Sequence, residues 1–452
     1  MSEEHVNFLG GSPLNRLSWL RTSSVFINTL LASTSTRWVA FQDGKPLIAS
    51  RAKESRLVLL TTAEVEHFLG PKPYFGQGPS EGAIAAVDLP ILEASRFRGA
   101  PIVFLGLSEP EPQANDHSPA VPLEELARSL IGTPFFSIDI SEVSQTELDR
   151  LVQTSAAPAG GFNLSFAEPR GAMRSMNEFD AGVFAEARSM VDWNSRNKFC
   201  ASCGSRVYSI WGGWKLSCTS LLSSSDNTGR KPCPTQKGLH NITHPRTDAV
   251  VIVAILNETQ DKILLGRNKK FPANFYSTLA GFIEPGESFQ DAVKREIWEE
   301  AGVRVRNVKY HSGQPWPFPA NLMVGFYAIG DPLEPIRIDL DNELEDAKWF
   351  TREEVLAVLE HKEGINFTSS DYKQIASIDE RVNVGASVGD ALGGDAAVQD
   401  GDSQIRSAAA LAADGKDEPA FRVPPRTAIA GVLISDWAFG KVPAEIGFKG
   451  RM

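Results

Sequence analysis

The chain has 452 residues, room for two to four folding units of ordinary size, so a core can form without metals or disulfides to hold it. Apolar residues make up 42% and charged residues 22%, the balance of a soluble globular protein. Lys and Arg number 45 against 56 Asp and Glu, a net charge of −11, which excludes a general nucleic-acid scaffold but not a nucleotide bound in a local cleft. From Val6 to about Asp149, short apolar runs such as Trp38–Phe41 and Leu57–Leu60 alternate with turns. Gly106 to Pro119 is rich in Pro, Asp and Glu and reads as an exposed loop. This predicts one α+β domain over residues 1–178, with no motif of its own. Next, Phe179, Val183, Ala187 and Met190 fall at helical spacing, predicting a helix with a face to bury.

That helix leads into a segment, 179–246, that holds every cysteine of the chain. Cys200-Ala-Ser-Cys203 has the spacing of a zinc-ribbon knuckle; Cys218 follows after 14 intervening residues and Cys233 after another 14. Ser223 to Asn227 reads as a polar loop inserted between the last two. The plainer alternatives are four unrelated buried thiols or a redox pair at Cys200 and Cys203, and the clustering favours zinc. His240 and His244 are the substitute ligands if Cys233 is not one. Four protein ligands leave no open position for water, so this zinc is structural.

The third unit, 247–452, opens with a continuous apolar strand, Ala249 to Leu256, a turn at Asn257 to Asp261, and a returning strand from Lys262 to Gly266. From Leu279 to Val303 the chain reads LAGFIEPGESFQDAVKREIWEEAGV. Gly281 and Gly286 permit a tight loop, Ser288 with Asp291 makes a capping box, and Phe289, Val293 and Ile297 form one apolar stripe. Gly302 ends the helix. Glu296 and Glu300 are four apart with Glu299 beside them; such like charges destabilise a bare helix by about a few tenths of a kcal/mol. Bound cations account for that cost, and hard oxygen donors select magnesium or manganese. Lys373 to Val423 is poor in large apolar residues and predicts a disordered insertion at about 373–423, ahead of a last helix from Ala428 to Trp437.

The stretch from Gly281 to Val303 resembles the Nudix box, G-x5-E-x7-R-E-U-x-E-E-x-G-U, with Gly281, Glu287, Arg295, Glu296, Ile297, Glu299, Glu300, Gly302 and Val303 at its specified positions. The resemblance implies a Nudix α/β/α sandwich with a mixed sheet, preceded by the zinc ribbon and the N-terminal α+β domain. It implies Glu296, Glu299 and Glu300 as catalytic and metal-binding groups, with Glu299 a further ligand or the base. Ala280 would offer its carbonyl to a metal, and Glu287 would pair with Arg295. Downstream, Gly313-Gln-Pro-Trp-Pro-Phe-Pro-Ala-Asn321 resembles the SQPWPFPxS signature of the NADH pyrophosphatase subfamily, with Gly313 and Asn321 in place of its two serines. Gln314, Pro315, Trp316, Pro317, Phe318, Pro319, Ala320 and Asn321 are therefore expected at the nucleotide, on a backbone stiffened by three prolines. The likeness extends to Ala185–Gly204 and to His244-Pro-Arg-Thr-Asp248, where His244 replaces a nucleotide-contacting Tyr and leaves Phe282 as the stacking partner. It also covers Glu343-Leu-Glu-Asp-Ala-Lys-Trp349, which makes Glu343 a further metal ligand. Pro424 to Ala430 completes it, bringing the Ala430 backbone near metal or substrate.

What the resemblance implies is metal-dependent hydrolysis of NAD(H) to NMN(H) and AMP by a homodimer. Removal of NAD caps from RNA 5′ ends is the alternative that uses the same bond. A related Nudix activity on ADP-ribose or other nucleotides is disfavoured by the proline–aromatic motif. A catalytically silent zinc-and-nucleotide binding module is the rival from another class, and the intact box argues against it. No apolar run nears the roughly 18–20 residues of a membrane span, and Met1 to His5 lacks the basic region of a secretory signal. The cytoplasm is the default location; Gly450-Arg451-Met452 resembles a degraded peroxisomal address.

Overall fold

The computed structural model describes residues 6–51, 54–77, 94–110, 121–155, 161–173, 175–222, 225–237, 240–269, 271–272, 274–341, 343–366, 371 and 419–442. The chain divides into two compact units: Leu9–Thr247 with Pro315–Asn321, and Asp248–Gln314 with Met1–Phe8 and Leu322–Met452. The segments expected as residues 1–178 and 179–246 thus share one unit. Asn7 and Phe8 belong instead with the C-terminal unit. There the Asn7 side chain donates to Ser312 Oγ at 2.9 Å and to the Gly313 carbonyl at 2.8 Å.

The N-terminal unit carries strands β1 Leu14–Asn15, β2 Arg37–Gln42, β3 Lys45–Arg51, β4 Glu54–Leu57, β5 Leu60–Thr61, β6 Ile102–Ser108, β7 Thr133–Asp139 and β8 Asn163–Phe166 in one sheet. The order is β1–β6–β7–β2–β3–β4, with β5 on β2 and β8 on β3. β2 and β7 run parallel and the other pairs antiparallel, so the sheet is mixed. Helices α1 Ser24–Leu31, α2 Thr62–Leu69, α3 Leu123–Ser129, α4 Gln145–Thr154, α5 Pro169–Met173 and α6 Glu178–Arg196 accompany it.

Helix α6 is the one expected from the 179–194 stripe, started by Asn177, whose side chain accepts from the Asp180 N–H. Val183, Ala187 and Met190 are buried as expected, but Phe179 is 37% exposed, its ring edge-on to Phe135. The same buried face carries Asp180 and Glu186, which apolar periodicity could not foresee. Beyond α6 come β9 Val207–Ile210 and β10 Lys215–Cys218, an antiparallel pair, and the short helix α7 His240–Thr243.

The C-terminal unit is built on β11 Asp248–Leu256, β12 Lys262–Asn268, β13 Leu279–Phe282, β14 Val305–Trp316, β15 Asn321–Gly330 and β16 Leu344–Thr351, in the order β14–β15–β11–β12–β16 with β13 on β11. Its helices are α8 Phe289–Ala301, α9 Arg352–Glu360 and α10 Ile429–Ala438. Side chains alternate across a strand, and β11 uses both faces. Val251, Val253 and Ile255 pack with Ala292, Val293, Ile297 and Ala301 of α8. Ile252, Ala254 and Leu256 pack with Val355 and Val358 of α9 and with Leu433, Ile434 and Trp437 of α10. Helices cover both faces, the sandwich that the continuous apolar run of β11 requires.

The expected insertion at 373–423 lies mostly outside the described residues, but its last residues are core. Phe421 is 2% exposed and Val423 fully buried, and Arg422 pairs with Asp371 at 3.0 Å. Two large apolar residues among many small ones were too sparse a signal to separate this end from the rest. Among the described residues, no helix is long and apolar enough to cross a membrane. The tail at Gly450-Arg451-Met452 lies outside the described residues.

Candidate functional site

Helix α8 is held at both ends. The Ser288 and Asp291 side chains cap its N-terminus reciprocally, and Gly302 closes it in the left-handed region at φ 67°. Val293 and Ile297 anchor its inner face, whereas Phe289, expected on that stripe, is 42% exposed; Ala292 and Ala301 take its place. With that face fixed, Glu296 and Glu300 point at strand β13. Gly281 lies within that strand rather than in a turn, and its role is clearance: a Cβ there would fall 1.9 Å from the Glu296 carboxyl carbon.

Glu300 is only 4% exposed and accepts the Ala280 N–H. Burial pushes its carboxyl well above the usual range, and Glu343, Glu296 and Asp341 push the same way. Glu296 is raised too, by burial first, with Arg295 pulling it back and Glu299 and Glu343 adding repulsion. Glu343 is exposed on the loop before β16, where the Asn268 amide donates to it at 2.9 Å. Arg295 ties the acids together. Its guanidinium reaches Glu287 at 2.6 Å, Glu296 at 2.9 Å and Glu299 at 3.0 Å, and donates to the Phe282 carbonyl at 2.8 Å. The Arg295 bond holds Glu287 down at about 2, and these acids raise Arg295 in turn. Phe282, at the end of β13, is 56% exposed.

A buried carboxyl crowded by other carboxyls, with no sulfur or nitrogen ligand grouped with them among the described residues, is a donor set that fits a hard divalent cation. The structure brings Glu296, Glu300 and Glu343 into one electrostatic neighbourhood but does not close them into a ligand shell. Asp341 belongs to the same neighbourhood and was missed. Its sequence signal was an acid two residues before Glu343 in an acidic run, too common a pattern to single out.

The cysteines do close. The ligand atoms of Cys200, Cys203, Cys218 and Cys233 all lie within 4.8 Å of one another, the one such group of three or more potential metal ligands among the described residues. Cys200–Cys233 Sγ atoms are 3.6 Å apart and Cys203–Cys218 3.4 Å, far beyond a disulfide bond and near the roughly 3.8 Å edge of a tetrahedron with 2.3 Å metal–sulfur bonds. Burial pushes the Cys218 thiol up to about 12, a cost that a bound cation reverses. All four cysteines suffice for the set, and His244 sits elsewhere: its ring packs 5.6 Å from that of Trp211, with Nδ1 3.0 Å from Thr243 Oγ1. The His240 side chain lies outside the described residues.

Of the proline–aromatic run, Pro315 to Asn321 belongs to the N-terminal unit. Trp316 and Phe318 are half-buried and edge-on at 5.2 Å, with Pro317 buried and Pro315, Pro319 and Ala320 intermediate. The Arg170 guanidinium, not foreseen from sequence, lies 4.1 Å from the Phe318 ring centroid and 5.7 Å from that of Trp316. Asn321 Oδ1 is buried with no hydrogen-bond partner among the described residues, an acceptor free for a ligand.

Gln314 corrects an expectation. It is fully buried in the C-terminal unit, donates to the Phe8 and Thr427 carbonyls at 2.8 and 2.9 Å, and accepts the Ile429 N–H at 2.7 Å. Both of its amide N–H donors and one acceptor position are spent bracing backbone inside the core. Ala430 likewise is 6% exposed and packs in the core through its side chain.

Residues 245–369 match the NUDIX domain family, and residues 35–193 match the NADH pyrophosphatase-like rudimentary NUDIX domain. The N-terminal region therefore has an identity that motif reading did not find, because a sheet without the carboxylate box leaves no local signature. The chain is 35% identical over 358 residues to "NAD-capped RNA hydrolase" of Schizosaccharomyces pombe, covering 78% of this chain and 85% of that one. It is 33% identical over 366 residues to human "NAD-capped RNA hydrolase NUDT12" (79% and 69%) and 32% identical over 372 residues to "NAD-capped RNA hydrolase NPY1" of Saccharomyces cerevisiae (79% and 88%).

Proposed function

The chain belongs to the Nudix hydrolases, and from that premise we propose that it hydrolyses the diphosphate bond of NAD(H), releasing NMN(H) and AMP. The observation that carries this reading is the complete carboxylate set on α8, with Glu300 buried at β13 and Glu296 seated over Gly281. Glu296, Glu300 and Glu343 would hold a divalent cation, Mg²⁺ or Mn²⁺, with Glu299 and the Ala280 carbonyl as further donors. When bound, that cation neutralises phosphate oxygens and makes water a better nucleophile at neutral pH.

The remaining steps belong to side chains. Glu299, 46% exposed and steadied by Arg295, takes the proton of the attacking water. Phe282 is a stacking partner for a base, and the run Pro315 to Asn321, with Trp316 and Phe318, is a platform for a nicotinamide or adenine ring. Asn321 Oδ1 accepts an N–H from the nicotinamide carboxamide or the adenine amino group. His244, packed on Trp211, and the backbone at Ala430 complete the proposed set. The four cysteines hold a structural Zn²⁺, and the protein works as a homodimer in the cytoplasm. A peroxisome-directed tail is the alternative location, to be read by microscopy.

Incubation with NADH and Mg²⁺ or Mn²⁺, followed by product separation, tests the reading. NMNH and AMP are expected from the wild type, and a rate lower by about 10²–10⁴-fold from Glu300→Gln, which removes one cation ligand. Folded, metal-supplied protein that leaves both NADH and NAD⁺ intact would sink it. The relatives' names favour a second substrate with the same bond, the NAD cap of an RNA.

A further inference from the structure

The segment from Arg196 to Arg246 contains eight Lys or Arg and a single acid, Asp226, a net charge of +7 inside a chain whose total is −11. Four thiolates around a divalent metal would subtract only two of those charges. The positive charge is on the surface. Arg196, Lys198, Arg206, Arg230 and Lys231 are all exposed. Arg196 and Lys198 are matched by acids, Asp192 at 2.5 Å and Glu142 at 3.1 Å. Arg206 and Lys231 have no carboxylate partner among the described residues, and Arg230 reaches the Ser205 hydroxyl at 3.3 Å. Among them stands Phe199, 58% exposed beside the first zinc-knuckle cysteine. Phe199 is bridged in antiparallel register to Arg206, whose guanidinium lies 5.7 Å from its ring centroid.

Burying a Phe side chain is favourable, so a folded segment has reason to hide it, and here it is left out among cations. Alternating cations and an open aromatic face are what a single-stranded polynucleotide binds: phosphates take the charges and a base stacks on the ring, sharing it with the guanidinium. An acidic protein surface would match the charge but would make no use of an exposed flat ring.

We propose that this face of the cysteine ribbon binds the RNA chain behind an NAD cap, with Arg206, Arg230 and Lys231 on phosphates and Phe199 under a base. The proposal rests on the reading of the chain as an NAD diphosphate hydrolase and assigns the surface that would hold the polymeric substrate for which its relatives are named. It makes the ribbon the element that separates capped RNA from the free dinucleotide, because NAD(H) carries no phosphates beyond its own pair.

The test uses the full-length, metal-loaded protein with two substrates, NADH and a short NAD-capped RNA, across a range of salt. Arg206→Glu with Lys231→Glu should lower kcat/KM for the capped RNA by about tenfold or more and flatten its salt dependence, with the NADH rate unchanged. Phe199→Ala should lower the capped-RNA rate several-fold at unchanged Tm. Equal losses on both substrates, or no loss on either, would overturn the proposal. Fluorescence anisotropy with the same RNA lacking its cap reads the ribbon without any chemistry. Weaker binding by the charge-reversed protein is expected; binding unaffected by it, or blocked by polyglutamate as readily as by RNA, overturns the assignment to RNA. A wild type that binds this RNA but cleaves neither substrate would instead defeat the hydrolase reading alone.

Discussion

The four cysteine sulfurs lie within 4.8 Å of one another, whereas Glu296, Glu300 and Glu343 share a neighbourhood without closing, and Arg295 stands between Glu296 and Glu299. On the proposed reading both clusters receive a cation, and their chemistry sets how far the fold can assemble them alone. An ordinary thiol is mostly neutral near pH 7, packs like a small apolar group and hydrogen-bonds weakly. Here burial raises Cys218 to about 12, while hydrogen bonds from Ser205, Cys218 and Ser220 outweigh burial and lower Cys203 to about 6. The four sulfurs therefore do not all carry charge and can be gathered before metal arrives. Two carboxylates 4 Å apart repel by about 4 kcal/mol at an effective dielectric of 20, so they stay apart, take up protons or borrow a guanidinium. Here burial and the neighbouring acids raise the Glu300 carboxyl, and Glu296 and Glu299 share the Arg295 guanidinium. The soft site can be closed by the fold and then locked; the hard site stays open, which is also what a phosphate substrate needs.

Gly281→Ala should break this contrast most sharply. The new Cβ falls 1.9 Å from the Glu296 carboxyl carbon and would displace a proposed ligand of the open site. A displacement on the order of 1 Å costs about 10²-fold in kcat, while Tm should move little because the end of a flexible side chain gives way. Turnover of NADH alongside a thermal melt checks both halves; a large fall in Tm with kcat intact would mean the open site is structural.

Cys218→Ser probes the closed site and should do the reverse. Bound zinc, measured by atomic absorption, should fall, and stability by about 3 kcal/mol or more, since metal affinity at a closed site is folding energy. The rate per folded molecule should change far less than in Gly281→Ala. Equal loss of turnover would mean that the ribbon contributes to the chemistry.

The smallest effect sets a background against which both are read. Glu186 is buried in the N-terminal unit with Arg16 at 3.3 Å and Ser12 as hydrogen-bond donor, and Arg21 also acts on it. Burial pushes its carboxyl from 4.5 to about 7, against the pull of Arg16, Ser12 and Arg21. Between those values the unfolded chain has lost a proton that the folded chain keeps, so stability from this group falls as pH rises across the window. Denaturation midpoints from pH 4.5 to 7 should show that downward contribution in the wild type and lose it in Glu186→Gln. An unchanged slope would place the titration elsewhere.

Much of this was legible locally. The capping box of α8, its closing glycine, the helix from Phe179 and the hairpin after Leu256 follow from spacings of a few residues, where chain connectivity restricts the geometry, and the Glu287–Arg295 pair followed from the resemblance to the box. Local reading failed where a residue's role is set by a distant partner. Phe289 had the right period yet lies at the solvent edge. Gly281 looked like a turn and is clearance for a side chain 15 positions on. Gln314 sat inside a nucleotide-binding pattern yet is consumed by Phe8, Thr427 and Ile429.

The sequence by itself determined the kinds of donor available, thiols in one segment and carboxylates in another, and with them the classes of cation proposed for each. Donor chemistry is a property of the side chain and survives any fold. Only the tertiary structure decided which donors meet, how deeply Glu300 is buried, that Arg170 lies over Phe318, and that the ribbon's cations stand in the open beside Phe199. Burial, repulsion and clearance depend on distances between residues far apart in the chain, and those distances exist only once the sheets and helices have packed.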